Sequence, residues 1–139
     1  MFYHICIEYQ KFIDMRLSSL LIILIITLSC GKDTDTTKSA ITMIKPNSND
    51  TFRLSPDSVL VNFKVQDNGG LQKIQVNVTT ASGTSMYSDT ENTSDNEYQY
   101  VSSIKFTGFS TLTPMTLKVT AINKQQNSTE TTTTFYVKP

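Results

Sequence analysis

Over most of this chain, apolar residues recur at every second position. Val59, Val61, Phe63 and Val65 alternate with Leu60, Asn62, Lys64 and Gln66, and Ile74, Val76 and Val78 alternate with Gln75, Asn77 and Thr79. A period of two sends successive side chains to opposite faces, so one apolar face marks a strand that packs on a core. Between the two runs stands Asp67-Asn68-Gly69-Gly70. Asn and Gly tolerate positive φ, so the pattern predicts a hairpin of 59–66 with 71–79.

Softer alternation continues downstream. Tyr98, Tyr100, Val101, Ile104 and Phe106 mark a strand over 98–106, whose phase slips between Tyr100 and Ile104 and predicts a bulge or a bend. Leu117, Val119 and Ala121 alternate with Lys118 and Thr120. A polar turn follows at 123–128, and a last strand over 131–137 turns Phe135 and Val137 inward. Early strands are predicted at 41–44 and 51–54, punctuated by Pro46 and Pro56, with a weak one at 84–87. The polar stretch 88–96 reads as a solvated loop. About seven short strands with regular turn signals and no helical period define an all-β chain, the signature of an Ig-like β-sandwich over residues 40–139.

Before residue 40 the pattern changes. Arg16 is followed by the apolar run Leu20-Leu21-Ile22-Ile23-Leu24-Ile25-Ile26 and then by Thr27-Leu28-Ser29-Cys30. Charge, short apolar stretch and small residues in this order are the layout of a secretory signal peptide. The run falls short of the roughly 20 apolar residues that span a bilayer. Residues 1–29 are therefore expected to be an export signal. Residues 1–14, with Glu8, Asp14 and scattered apolar positions, add nothing that such a signal needs, and translation is expected to begin at Met15. Residues 30–39 contain no aliphatic side chain and read as a flexible tether.

Composition narrows the chemistry. Lys+Arg and Asp+Glu are 12 each, and removing Lys11, Arg16, Glu8 and Asp14 keeps the balance. A neutral module has no electrostatic reason to seek nucleic acid. The two cysteines, Cys6 and Cys30, and the one histidine, His4, all lie upstream of the β region. That region therefore has no disulfide framework, no Cys- or His-based nucleophile and no zinc ligand set. Asp89, Glu91, Asp95 and Glu97 cluster, but without the spacing of a calcium loop. No enzyme activity, cofactor or metal is expected. Tyr98 and Tyr100 share one face of their strand, and a pair of exposed rings there would stack on a sugar or a protein partner.

Two resemblances add to this reading. Thr27-Leu28-Ser29-Cys30 resembles the lipobox of bacterial lipoproteins, which implies cleavage before Cys30 and lipidation of its thiol. Ile41-Thr42-Met43-Ile44-Lys45-Pro46, Val65-Gln66-Asp67-Asn68-Gly69-Gly70-Leu71 and Val119-Thr120-Ala121-Ile122-Asn123 resemble Ig-like or fibronectin-type domains of Bacteroidetes-type surface lipoproteins. That likeness implies a lipid-anchored, non-catalytic binding or spacer module of the cell envelope, held at the outer membrane. Its partner would be an envelope protein or a glycan, the latter as an accessory of a surface uptake system. Asp57-Ser58-Val59 and Asp35-Thr36-Thr37 resemble the acceptor motif for O-linked glycans on such proteins, which implies modification at Ser58 and Thr36.

Overall fold

The computed structural model describes residues 37–54 and 58–139; residues 1–29, read as an export signal, and Cys30 and Thr36 lie outside them. The described residues belong to one compact unit, Asp35–Pro139. Eight strands follow in order: β1 (Ala40–Lys45), β2 (Thr51–Arg53), β3 (Val59–Gln66), β4 (Leu71–Thr80), β5 (Ser85–Asn92), β6 (Glu97–Ile104), β7 (Thr113–Asn123) and β8 (Ser128–Lys138). They form a three-stranded sheet, β1-β3-β6, and a five-stranded sheet, β2-β8-β7-β4-β5. Every pairing is antiparallel except that of β2 with β8. No helix occurs among the described residues.

The alternation read from the sequence places the core. Val59, Val61, Phe63 and Val65 of β3 face Ile74, Val76 and Val78 of β4 and Leu117, Val119 and Ala121 of β7 across one apolar layer, all fully buried. Phe135 and Val137 of β8 close it on one side. Phe63 stacks on Tyr100 of β6 with ring centroids 5.0 Å apart and planes 11° from parallel. The offset between such rings adds a quadrupolar attraction to the area they bury.

Three expectations are corrected. The segments 59–66 and 71–79 do not form a hairpin: β3 pairs with β1 and β6, whereas β4 pairs with β5 and β7. The Asp67–Gly70 turn is real, with the Gly70 N–H donating to the Asp67 carbonyl at 3.3 Å and Gly70 at φ +89°. It sends the chain across the core to the other sheet, so the apolar faces of β3 and β4 oppose each other rather than lie side by side. The strand at 84–87 extends over Ser85–Asn92, and only 93–96 of the expected acidic loop lies outside a strand. Its polar residues are tolerated because β5 is an edge strand. Finally, β6 carries no bulge, since its register with β3 is unbroken from Glu97↔Gln66 to Ile104↔Val59. Tyr98, Tyr100, Ser102 and Ile104 keep one phase, and Val101 is an apolar residue on the outer face, 61% exposed.

Phe63→Ala removes both the stack and the largest buried side chain of β3. It is expected to destabilise the fold by about 3–5 kcal/mol, read as a fall in the denaturant midpoint.

Candidate functional site

Two polar constellations stand apart from the apolar layer. The first joins the sheets along their β5–β6 side. Val78↔Tyr87, Val76↔Asp89 and Ile74↔Glu91 are paired positions of β4 and β5. Because the β4 members are core residues, Tyr87, Asp89 and Glu91 project from the core-facing side of β5. They are only partly buried. Tyr100 reaches toward them from β6. Its hydroxyl donates to Asp89 Oδ2 at 2.7 Å. The Tyr87 hydroxyl lies 2.7 Å from that of Tyr100 and 3.2 Å from the same carboxylate oxygen, its single proton serving one of the two.

The ionisation of the cluster follows from these contacts. The Tyr100 hydroxyl, with the Thr90 N–H and Tyr87 behind it, holds the Asp89 carboxyl below its ordinary value of 3.8. Burial, reinforced by the Tyr87 and Asp89 hydrogen bonds, pushes the Tyr100 phenol far above its ordinary 10.0. Burial and the nearby charges of Glu91 and Asp89 raise Tyr98 as well. The cluster is thus an Asp89 carboxylate held by the Tyr100 phenol, each favouring the other's protonation state.

The second constellation lies where the chain enters the domain. Ser39, Asp67 and Asn123 are all buried. The Ser39 hydroxyl donates to Asp67 Oδ2 at 2.7 Å, the Gly69 N–H donates to Asp67 Oδ1 at 2.9 Å, and the Asn123 amide donates to Asp67 Oδ2 at 3.3 Å. The same amide lies 3.3 Å from the Thr37 carbonyl. Asn123 Oδ1 accepts from Gln125 N and Asn127 N, which shapes the β7–β8 turn. Buried polar groups persist only when partnered, and here the partners tie the start of β1 to both the β3–β4 corner and the β7–β8 turn. A cleft of about 460 Å³ opens beside it, lined by Thr37, Lys38, Gln66, Asp67, Asn68 and Glu97 among others.

The residues singled out in the sequence fall in different places. Tyr98 and Tyr100 do share the inner face of β6, but they do not form an exposed ring pair. Tyr100 is 4% exposed and stacked in the core, and Tyr98 packs partly buried against it. The sugar-stacking platform expected from them is therefore absent, because the face they share is the core face. Ser58 stands partly exposed directly before β3. Cys30 and Thr36 lie outside the described residues. Asp89, Asp67 and Asn123 were not picked out as site residues in the sequence, since only the folded chain supplies their partners. Among the described residues, no three His, Cys, Asp or Glu side chains converge as a metal site.

With this geometry the molecule is an Ig-like β-sandwich, and Ig-like β-sandwiches occur among its solved neighbours. The E. coli chaperone DraB is 9% identical with a TM-score of 0.50, over 74% of this chain and 57% of that one. OgpA from Akkermansia muciniphila is 12% identical with a TM-score of 0.50, over 73% of this chain and 28% of that one. CopC from Methylosinus trichosporium OB3b is 13% identical with a TM-score of 0.45, over 72% and 95%. At these identities the likeness is one of fold. The chain spans little more than half of DraB and under a third of OgpA. No protein-family model matches the chain, and no curated protein matches it.

Tyr100→Phe takes the shortest hydrogen bond from the Asp89 carboxylate and is expected to cost about 1–3 kcal/mol near neutral pH. A carboxyl whose folded value lies below its unfolded one stabilises the fold above 3.8 and loses that contribution as pH falls through the folded value. The gap in melting temperature between wild type and Tyr100→Phe should therefore narrow in acid, as a pH series of thermal melts will show.

Proposed function

We propose that the chain is a non-catalytic binding module held on the bacterial cell envelope by a lipid on Cys30. The observation that carries this reading is the polar clasp. The segment arriving from Cys30 is fastened at Thr37 and Ser39 to buried Asp67 and Asn123, so a membrane-tethered domain would have a defined end toward its anchor. Nine residue steps separate Cys30 from Ser39. At full extension they reach about 30 Å, which keeps the clasp within that distance of the bilayer. Diacylation combined with amine acylation supplies enough buried CH₂ groups for stable attachment, and tethering raises the effective concentration of the domain toward its membrane neighbours.

Partly exposed Ser58, directly before β3, is accessible to O-glycosylation in this reading, and Thr36 would carry a second glycan on the tether.

Detergent phase partitioning tests the anchor. Wild type extracted from its native membrane is expected in the detergent phase, with a mass equal to residues 30–139 plus acyl chains. Cys30→Ser is expected in the aqueous phase. Equal partitioning of the two, or an uncut mass, would remove the lipid from this account. A mass excess lost in Ser58→Ala identifies the glycan.

A further inference from the structure

The smaller sheet ends at β6, whose Tyr100 reaches Tyr87 and Asp89 of β5, the edge of the larger sheet. β6 is the last strand of the smaller sheet, with β3 its only partner among the described residues. The Asp67 N–H donates to the Asn96 carbonyl at 2.9 Å. In an antiparallel ladder the bonded pairs alternate, so Tyr98, Tyr100, Ser102 and Ile104 turn their main-chain groups toward β3. Gln99, Val101 and Ser103 turn theirs outward, along an eight-residue strand whose pairing is straight and free of bulges. An edge of this kind is a template for another strand unless it is short, bulged or blocked by proline, and β6 is none of these.

We propose that β6 takes up an extended peptide segment as a fourth strand, with basic side chains at alternate positions facing β5 and apolar ones facing outward. This deepens the binding-module reading and rests on it, although not on the lipid. A strand added at the usual spacing of about 4.8 Å stands over the partly uncovered inner side of β5. There Asp89 and Glu91 present carboxylates, and neither takes part in any of the ion pairs among the described residues. Asp89 is held ionised by the phenols, so a lysine or arginine arriving there meets charge that is already desolvated in part and fixed in place. On the opposite face Val101 is 61% and Leu60 39% exposed, on neighbouring strands and two residue positions apart in the register. Outward apolar side chains of the incoming strand pack beside Val101 on the adjoining β6. Main-chain hydrogen bonds supply attachment and the alternating side chains supply selectivity, as in other strand additions.

The probe is a capped octapeptide alternating lysine and valine, compared with its glutamate–valine counterpart and with a peptide of the same lysine–valine composition in block order. Amide hydrogen exchange of the full chain in detergent reads the contact. The alternating lysine peptide is expected to protect the amides of Gln99, Val101 and Ser103, and the other two peptides to leave them unprotected. Val101→Pro deletes an outward N–H at an edge position that tolerates proline and is expected to abolish binding while retaining the wild-type melt; Ser103→Pro serves the same purpose if that variant misfolds. Glu91→Gln should weaken binding several-fold. Absence of protection at the three amides, equal protection by the glutamate peptide, or undiminished binding in both proline variants overturns the proposal. So does concentration-dependent protection without peptide, which would assign the edge to a second copy of the chain. These results are independent of detergent partitioning, so failure here leaves the Cys30 anchor standing and the reverse also holds.

Discussion

Two sheets of unequal size share a single apolar layer, and most of the molecule is a response to that mismatch. Three strands cannot cover five. β3 faces β4 and β7 across the layer, where the inward positions Ile74, Val76, Val78, Met115, Leu117, Val119 and Ala121 are apolar and fully buried. Toward β5 the cover runs out. Inward positions there change from valine and isoleucine on β4 to tyrosine, aspartate and glutamate on β5. Tyr100 spans the transition, because its ring belongs to the core and its hydroxyl belongs to the polar margin. A tyrosine placed this way satisfies both solvents at once. The arrangement also keeps charge on the inner side of an edge strand, a device that discourages unspecific edge-to-edge association of β5.

The opposite problem, polar groups inside the protein, arises at the clasp. Asp67 is 5% exposed, and its carboxylate takes hydrogen bonds from a hydroxyl, a main-chain amide and a side-chain amide. Three chain segments meet at that single carboxylate. Gly70 follows at φ +89°, a conformation that a Cβ would strain, and its carbonyl accepts from the Lys124 N–H at 2.9 Å. The lysine chain itself crosses over the glycine to reach the Ser94 carbonyl. The corner that carries the chain between sheets is thus fixed from both sides.

Much of the fold was legible in the sequence, and the reason is local. β3, β4, β7 and the end of β8 each bury one face, and burial imposes a strict period of two that any reader of the chain can see. The layer structure and the inward placement of Phe135 and Val137 followed. What escaped notice depends on contacts between distant positions. A turn of Asp, Asn and two glycines has the same local chemistry whether it closes a hairpin or arches between sheets, so the partners of β3 and β4 could not be read from it. β5 looked like a loop because two of its inward positions, Asp89 and Glu91, are carboxylates, which only its marginal place in the sheet permits. Val101 distorted the apparent phase of β6, since an exposed valine is indistinguishable from a buried one in sequence. The clasp joins residues 28 and 56 positions apart, and no spacing rule announces such a pair. The candidate site was legible only in part: Tyr98 and Tyr100 were noticed for their shared face, but which face it was depended on β3.

The clasp also decides how the domain responds to force. A pull applied at Thr37 and directed away from the domain acts along the axis of β1, whose antiparallel bonds to β3 run from Ala40↔Gln66 to Lys45↔Asn62. Those bonds are loaded in shear, all at once, together with the Ser39–Asp67 and Thr37–Asn123 hydrogen bonds. Had the chain entered at the other end of β1, the same pull would have peeled the bonds away one after another. A tether joined at Thr37 would load the domain from the end that resists traction.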